Sequence, residues 1–330
     1  MVEKKLQSES EVLTAFSDII SDHIAGDPQQ ANKKWTGLKP KDVQQRLLER
    51  QHDISYYLVR HLFEDNNLRR RSYLKQVSLG QHPQRDEQFN KIAELKHSFM
   101  DAGMPVLSID TKNKELLGNF YRKGSYYANR HRLVNDHDFN SHADGILVPH
   151  GIYDVADNFG YLTLGTSKDT SAFVCDNIRY FWQQQLQWIY PTQEWLLLLC
   201  DGGGSNNARH YIVKQDLYQL AKDLQINIVV AHYPPYCSKW NPIEHRLFCH
   251  VHHAWDGAVF NDIQIVKELA EKTATKTGLG VKVRINEQQY QTGRKVSQKF
   301  RDNISDFVYF DEKIPQWNYQ FHYQNRELIF

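Results

Sequence analysis

The chain has 330 residues, of which 41% are hydrophobic and 24% are charged, and its formal net charge is +1. A chain of this length can bury at least one substantial core, and its length predicts one large domain together with a smaller one. The nearly neutral balance excludes a protein that is basic throughout, so any contact with nucleic acid must come from a local patch.

The cysteines and the apolar runs exclude further classes of protein. The four cysteines form no CxxC pair, which argues against a disulfide framework and indicates a reducing compartment. No apolar run approaches the roughly 20 residues that a membrane-spanning helix needs, and the first residues contain no signal-peptide core. We therefore expect a cytoplasmic protein without a membrane partner.

The first part of the chain is predicted to be helical. Apolar residues recur at helical spacing from Val12 to Ile24, behind an expected cap at Ser10. After a turn-rich stretch, residues 39–71 contain two short apolar stripes joined by QHDIS, with Ser55 as the expected cap of the second helix. This pattern is typical of a helix-turn-helix. An ordinary helical hairpin with a charged end fits it equally well.

If the helix-turn-helix interpretation holds, the second helix and the residues after it contact DNA. A recognition helix meets base edges with the outer face near its start, and a run of arginines suits phosphate contacts, which position a protein without reading sequence. We assign this helical DNA-binding region to residues 1–85. The residues concerned are Tyr56, Tyr57, Arg60 and His61 on the helix, and Arg69, Arg70 and Arg71 after it.

From Pro105 the pattern changes to strands that alternate with helices. PVLSID, ELLGNFYR and the later FGYLTLGT predict three strands, and the nearly continuous apolar run EWLLLLCD predicts a buried central strand. With the intervening helices, the strand INIVVAHY and a last helix from Asn241, the order is βββαβαβα. That order is typical of an RNase H-like domain, so we expect an α/β fold with a mixed sheet flanked by helices over residues 86–330. Residues 122–143 show no clear period and are expected to form an exposed loop.

Three acidic residues fall at informative places in this order. Asp110 lies on the first strand, Asp201 follows the buried apolar strand, and Glu244 lies one turn into the last helix. Carboxylates at the carboxyl ends of neighbouring strands can converge beside a helix N-terminus, and hard oxygen ligands suit Mg²⁺ or Mn²⁺. Taken singly, the aspartates also fit strand-end turns, and Glu244 also fits a capping box with Asn241.

Longer blocks around these acids resemble a known family. VLSIDTKNKELLGNF, HGIYDVADNFGYLTLGTSKDTSAF, LLCDGGGSN, YPPYCSKWNPIEHRLF and the late TKTGLGVKV are similar to blocks of the DDE transposases of ISAzo-type bacterial insertion sequences, also called the Rhodopirellula transposase family. The similarity runs from roughly Gly26 to the C-terminus, where a C-terminal extension follows the catalytic core.

The resemblance implies a function and a site. It implies that Asp110, Asp201 and Glu244 form the catalytic triad and bind two divalent ions, Mg²⁺ or Mn²⁺, in each active site. It also implies cleavage and strand transfer of double-stranded DNA, at the terminal repeats of the element and at a target, in the bacterial cytoplasm. Because two DNA ends must be brought together, we expect at least a dimer in action.

The sequence departs from the family pattern in two places, and two alternative functions stay open. Family members carry a further N-terminal DNA-binding segment, and this sequence begins just past the point where that segment would end, so we expect recognition of the terminal repeats to be affected. Pro242 stands where a lysine is expected. The alternatives are a truncated or domesticated transposase that acts as a DNA-binding protein, and an RNase H-like nuclease that does not transfer strands.

Two further groups of residues near the acids are candidates for binding. Lys112, Lys114, Lys239 and Trp240 could contact phosphates or stack on a base, although a solvated loop explains them equally well. HRLFCHVHH places His245, Cys249 and His252 on one helical face, but no second ligand pair has the spacing of a structural zinc site. We therefore expect core or surface histidines there.

Overall fold

The computed structural model of the chain describes residues 2–27, 30–71, 82–125, 127 and 129–323. The chain divides into two compact units, Met1–Val77 and Ser78–Phe330. The functional boundary that we place after residue 85 stays a prediction.

The first unit is a small helical bundle with a β-hairpin. Its elements are α1 (Val2–Ser21), β1 (Ile24–Asp27), β2 (Gln30–Thr36), α2 (Pro40–Glu49) and α3 (Tyr56–Asp65). Phe16, Leu47 and Val59 are buried in its core. The predicted cap of α3 is confirmed, because the hydroxyl of Ser55 accepts a hydrogen bond from the backbone N–H of Leu58 at 3.3 Å.

Two expectations for this unit are wrong. Helix α1 begins at Val2, so Ser10 lies inside it and does not cap it. The stretch that we took as turn-rich forms the antiparallel hairpin of β1 and β2. Local turn residues concealed this pairing, which depends on the second strand and not on local preference.

The second unit alternates strands and helices. Before the last helix of the predicted core it contains α4 (Arg85–Asp101), β3 (Val106–Thr111), β4 (Glu115–Leu117), β5 (Gly145–Asp154), β6 (Phe159–Gly165), α5 (Ser171–Phe181), a π-helical segment (Trp182–Leu186), α6 (Gln187–Ile189), β7 (Trp195–Cys200), α7 (Tyr211–Leu224) and β8 (Asn227–His232). A second π-helical segment (Glu244–Phe248), α8 (Cys249–Ala254), α9 (Ile263–Glu271), β9 (Gly280–Asn286), α10 (Gln298–Asp302), β10 (Tyr309–Phe310) and β11 (Asn318–Phe321) follow. None of the helices in the described ranges is long and apolar enough to cross a membrane.

The sheet of this unit has the strand order β10-β11-β8-β7-β3-β5-β6-β9, and β4 pairs with β5 beside it. Strands β3, β5 and β6 are successively antiparallel, whereas β7 and β8 run parallel to β3. This core of three antiparallel and two parallel strands, flanked by helices, confirms the predicted RNase H-like α/β fold. The central position of β7 explains why its residues from Leu196 to Cys200 are all buried.

The individual strands differ from the prediction in three places. The second core strand is β5, in a stretch to which we assigned no strand, because Pro149 and Gly151 interrupt its apolar run. The predicted strand ELLGNFYR is reduced to the three residues of β4. Strands β9 and β11, which we did not predict, extend the two edges of the sheet.

The last helix of the core packs closely on the sheet because two strand positions are glycines. A Cβ at Gly151 would lie 2.5 Å from the ring of Phe248, and one at Gly160 would lie 2.4 Å from the side chain of Leu247. Phe248 and Leu247 are buried there, and burial of each stabilises the fold by roughly 1.5–3 kcal/mol. This packing fixes the π-helical segment, and therefore Glu244, over β5 and β6.

Candidate active site

The three acidic residues singled out in the sequence lie at one end of the sheet. In the parallel pair of β3 and β7, Ile109 is aligned with Cys200. Asp110 and Asp201 each follow directly on these residues, so they lie side by side at the carboxyl ends of the two strands. Glu244, the first residue of the second π-helical segment, lies close enough to Asp110 for its charge, together with the larger effect of burial, to raise the pKa of that carboxyl.

The environment of Asp110 disfavours its charged form. Its side chain is 8% exposed, and burial, followed by the charge of Asp201 and a contribution from Glu244, raises its pKa to about 8. The backbone N–H of Thr111 donates a hydrogen bond to its Oδ1 at 2.7 Å and opposes this shift. A buried carboxyl that is held against two other carboxyls is stabilised in its charged form by a cation.

Asp201 has a similar but more polar environment. Burial raises its pKa, and the backbone N–H of Gly203 opposes the shift by donating a hydrogen bond to Oδ1 at 3.2 Å. The charge of Asp169 raises the pKa further. Asp169 accepts a hydrogen bond from the hydroxyl of Thr111 at 3.2 Å, so a fourth carboxylate lies beside the site. Our sequence analysis did not single out Asp169, although it precedes a helix start in the family block GTSKDTSAF.

The carboxylate oxygens of this site are of the type that a divalent ion prefers, but they are not gathered closely around one point. Carboxylate oxygens are the ligands that Mg²⁺ and Mn²⁺ prefer, and burial, together with the neighbouring charges of Asp201 and Glu244, raises the pKa of Asp110. Within the residues that the structure describes, however, no three His, Cys, Asp or Glu side chains are gathered tightly enough to hold one ion together. Repulsion between the carboxylates opposes closer approach.

A buried hydrogen-bonded pair connects β3 to the start of the last core helix. The amide oxygen of Asn241 accepts a hydrogen bond from the hydroxyl of Ser108 at 2.5 Å, and its Nδ2 donates to the backbone carbonyl of Ile109 at 3.1 Å. The hydroxyl of Ser108 also accepts from the backbone N–H of Ile243 at 3.0 Å. Both side chains are fully buried. We call this pair the Ser108–Asn241 bridge.

The bridge corrects one interpretation and adds two positioning residues. We considered a capping box in which Asn241 caps the helix and Glu244 reaches back to it. The side chain of Asn241 bonds to β3 instead, and no side-chain cap precedes the π-helical segment. Since Asp110 lies two residues after Ser108, the bridge fixes Glu244 relative to Asp110. An asparagine before Pro-Ile-Glu is the sequence signal for it, but the local pattern is the same as for a cap.

The backbone of Asp201 is held from behind by His232. Burial lowers the pKa of His232 to about 4, so its ring is neutral near pH 7. The ring Nδ1 lies 3.0 Å from the carbonyl oxygen of Asp201, and Nε2 lies 2.7 Å from the hydroxyl of Tyr319. Nδ1 must therefore donate and Nε2 accept, which fixes the tautomer. Tyr319 belongs to β11, so a strand that we did not predict supports the site.

The candidate DNA contacts beside the acids have different environments. Lys112 is half-buried, forms an ion pair with Glu115 at 2.5 Å and lies over the ring of Trp255. Lys114 is exposed. Lys239 lies 5.5 Å from the centre of the Trp240 ring, and Trp240 is 52% exposed. The last two thus form an open cationic and aromatic surface, whereas the charge of Lys112 is already neutralised.

The candidate DNA contacts of the first unit lie on its surface. Tyr57 is 71% exposed at the start of α3. Arg60 forms an ion pair with Glu64 at 3.2 Å, and His61 lies 3.8 Å from the same carboxylate. The exposed residues that complete the set are Tyr56, Arg69, Arg70 and Arg71. Their contact with DNA stays a prediction.

The histidine-rich stretch after Glu244 is mostly a surface. Cys249 bonds through its thiol to the backbone carbonyl of His245 at 3.1 Å. His253 lies 3.1 Å from the carboxylate of Asp256, and His252 lies 3.9 Å from the same group.

Comparison with known proteins gives one strong match and several weak ones. The family model described as the Rhodopirellula transposase DDE domain matches residues 15–323. No curated protein matches the chain. Among solved structures, the chain is similar to the Mos1 transposase paired-end complex with left transposon end, at 16% identity and a TM-score of 0.43 over 73% of this chain and 72% of that one.

A second solved structure, the Mos1 strand transfer complex, gives similar values. The identity is 17% and the TM-score is 0.42, over 76% of this chain and 74% of that one. Both TM-scores are low, so the fold is identified by the strand order of this structure and not by these similarities.

Proposed function

The chain belongs to the Rhodopirellula transposase DDE family, whose model spans residues 15–323, and from this premise we propose that it cleaves and joins double-stranded DNA with divalent metal ions. Membership makes the chain a transposase. One observation carries the finer proposal: a buried Asp110 in contact with Glu244 and beside Asp201. Burial and the neighbouring charges of Asp201 and Glu244 raise its pKa, and a carboxyl perturbed in this way supports a functional site over an ordinary turn residue.

The proposed metal ligands are the same three carboxylates. Asp110 lies between the other two, so it can share ligation with Asp201 on one side and with Glu244 on the other. Bound Mg²⁺ or Mn²⁺ supplies Lewis-acid stabilisation of the attacking and leaving oxygens in phosphoryl transfer. We propose two ions in each site because each of the two pairs that contain Asp110, with Asp201 and with Glu244, offers one position.

The residues of the chain itself orient this arrangement. The Ser108–Asn241 bridge holds Glu244 against Asp110, and His232 holds the backbone of Asp201. Such supporting bonds reduce the reorganisation needed when a charged substrate arrives, which is how preorganised sites lower a barrier. Lys239 and Trp240, at the open edge, suit contact with the phosphates and bases of the DNA.

We propose that the first unit binds DNA through α3 and the arginines that follow it. Tyr56, Tyr57 and Arg60 lie at the exposed start of this helix, where a recognition helix contacts base edges. The run 69–71 suits phosphates. Two DNA ends must meet for strand transfer, so the active assembly is proposed to contain at least two chains and to act on DNA in the bacterial cytoplasm.

The test is an analysis of the products formed on labelled duplex DNA that carries the ends flanking the gene for this chain. With Mg²⁺ or Mn²⁺, we expect cleaved ends and, later, products in which a 3′ end is joined to a target strand. Chelation and the Asp201→Asn variant should remove both. Cleavage without any joined product would establish a nuclease instead, and binding without cleavage would establish a DNA-binding protein.

A further inference from the structure

A cleft lies on the side of the last core helix that faces away from Asp110. Its volume is about 410 Å³. Three of its lining residues come from the helix, and most of the others come from the turn that precedes β9. The lining residues include His245, Arg246 and His250 on the helix, and Thr275, Lys276 and Thr277 in the turn.

The cleft lies apart from the three carboxylates of the candidate active site. Asn158, which also lines it, lies in the turn between β5 and β6, at the end of β5 that pairs with Leu107 and not with Thr111. Its side chain donates to the carbonyl of Thr277 at 3.0 Å and so joins that turn to the loop before β9. The cleft is therefore at the opposite end of the strands from the carboxyl end of β3.

The cations of the cleft are not neutralised by carboxylates. Arg246 and Lys276 are exposed, and within the described ranges neither of them forms an ion pair. Lys96 of α4 is close enough to Arg246 for that charge, together with the larger effect of burial, to lower the pKa of Lys96. Cations that lie near one another without an acidic partner repel, and an anion bound between them relieves this repulsion.

An acidic residue, Asp157, lies next in sequence to the lining residue Asn158. Asp157 precedes Asn158 in the β5–β6 turn and is exposed, but it forms no ion pair with a residue of the cleft. Thr275 and Thr277 place their hydroxyls 2.9 Å apart at the rim, and hydroxyls of this kind commonly bond to phosphate oxygens. The cleft thus combines unpaired cations and hydroxyl groups, which is the chemistry that binds a phosphodiester backbone.

The distance from the active site suits a single DNA molecule. Arg246 follows Glu244 by two residues, so their side chains lie on opposite sides of one helix, roughly 10–12 Å apart across its diameter. A minor groove about 6 Å wide with its flanking phosphates covers a comparable distance. One duplex can therefore reach both sides of the helix.

We propose that this cleft is a binding site for the sugar-phosphate backbone of duplex DNA, separate from the carboxylate site. The inference rests on the proposed function, since it assumes that DNA is the substrate. Its contacts are electrostatic and independent of sequence, so the cleft holds DNA that is cut or joined at the carboxylates. The occupant is either the element's own end or the target duplex, which offer the same backbone.

The experiment compares the salt dependence of DNA binding in the full chain. Arg246→Ala combined with Lys276→Ala is measured beside a control that also loses two exposed positive charges, Lys222→Ala combined with Lys313→Ala. Each protein is titrated against two probes, a duplex of arbitrary sequence and the DNA that flanks the gene. Thermal unfolding of each variant checks that the fold is retained.

The cleft variant should lose two phosphate contacts. We expect the slope of log Kobs against log salt concentration to become shallower by about 2, and the affinity at moderate salt to fall on the order of 10-fold or more. If the cleft variant loses affinity for both probes, the cleft binds any duplex, the target included. If it loses affinity only for the flanking DNA, the cleft binds the element's end. A slope and an affinity equal to those of the control would overturn the proposal.

The proposed function is tested separately by the same proteins. A wild type that binds with a steep salt dependence but cuts neither probe in Mg²⁺ would contradict the proposed function and leave the cleft intact. A cleft variant that binds and cuts DNA like the wild type would contradict the proposed role of the cleft and would leave the proposed function intact.

Discussion

The two sides of the last core helix are built in opposite ways. On the side of Glu244, buried carboxyls are supported by further buried bonds, including the Ser108–Asn241 bridge. On the side of Arg246, exposed cations lie in an open cleft, and no described carboxylate forms an ion pair with Arg246 or Lys276. One short helix therefore presents two kinds of group. Buried carboxyls have a fixed geometry, which suits catalysis, whereas exposed positive charges suit affinity for DNA. Substitutions on the two sides should therefore have separable effects.

The largest expected effect is on the rate of DNA cleavage. Asp201→Asn should lower it by at least about 10³-fold, because a metal ligand stabilises the transition state by several kcal/mol. Asp169→Asn, which changes a neighbouring carboxylate that bonds to Thr111, should lower it by only about 10-fold, as expected of a supporting group. Single-turnover cleavage in Mg²⁺ measures both. Equal losses would place Asp169 among the ligands.

The Ser108–Asn241 bridge should affect both stability and metal binding. Asn241→Ala removes the acceptor of the buried Ser108 O–H and a donor to the carbonyl of Ile109, at a cost of roughly 1–3 kcal/mol each in the free energy of unfolding. Because Glu244 is then less well placed, the concentration of Mn²⁺ that half-saturates the protein should rise about 10-fold to 100-fold. Denaturant unfolding and calorimetric titration measure the two effects.

A matched control for this variant lies elsewhere in the same sheet. Asn227 is also fully buried, and its side chain accepts a hydrogen bond from the backbone N–H of Tyr323 at 3.2 Å. Asn227→Ala should destabilise the protein without changing its affinity for Mn²⁺. If both variants changed that affinity equally, the bridge would have no positioning role.

The pKa of Asp110 predicts how the stability of the metal-free protein depends on pH. Because its pKa is raised from 3.8 to about 8, the folded state holds a proton that the unfolded state has lost between these values. Stability from this group is complete at lower pH and is lost as the pH rises towards 8. Asp110→Asn should remove that slope and, at pH 8, stabilise the protein by an amount on the order of 5 kcal/mol.

Thermal unfolding in chelator, between pH 5 and pH 9, measures this slope. Added Mg²⁺ should stabilise the wild type at pH 8 but not the Asp110→Asn variant, because a ligand that binds only the folded state raises its stability. A parallel decline of both proteins with pH would show that Asp110 is not the titrating group.

The smallest expected effect concerns the first unit. Replacing Arg69, Arg70 and Arg71 with alanine should weaken binding to any duplex by roughly 10-fold and make the salt slope shallower by up to about 3. Since these residues belong to a different compact unit from Arg246, the loss should add to that of the cleft variant. Fluorescence anisotropy of the combined variant measures the sum. A combined loss no larger than either single loss would mean that the two surfaces do not act as separate contacts.

The order of elements in the core and the places of the three acids could be predicted from sequence. Asp201 was accessible because β7 is a continuous apolar run, and such a run is typical of a central strand whose end borders a ligand crevice. Asp110 follows a similar run. The fold class was predictable for the same reason, since the alternation of apolar strands and helices has few compatible topologies.

The supporting structure of the site could not be predicted in this way. Strand β5 was missed because Pro149 and Gly151 are unfavourable in strands, and Gly151 is required by a tertiary contact with Phe248. The bridge was missed because Asn241 fits a local cap equally well, and its partner is Ser108, 133 residues away. The Arg246 cleft depends on a loop before β9 that is distant in sequence.

The most direct test of the account is the comparison of wild type and Glu244→Gln on labelled duplex DNA carrying the flanking ends, in Mg²⁺ or Mn²⁺. Glutamine keeps the size and the hydrogen-bonding capacity of the side chain but removes its charge. We predict that the wild type cleaves and joins the DNA, and that the variant binds it with the same salt slope but does neither. Unchanged cleavage by the variant would contradict the assignment of Glu244 as a metal ligand and, with it, the proposed active site.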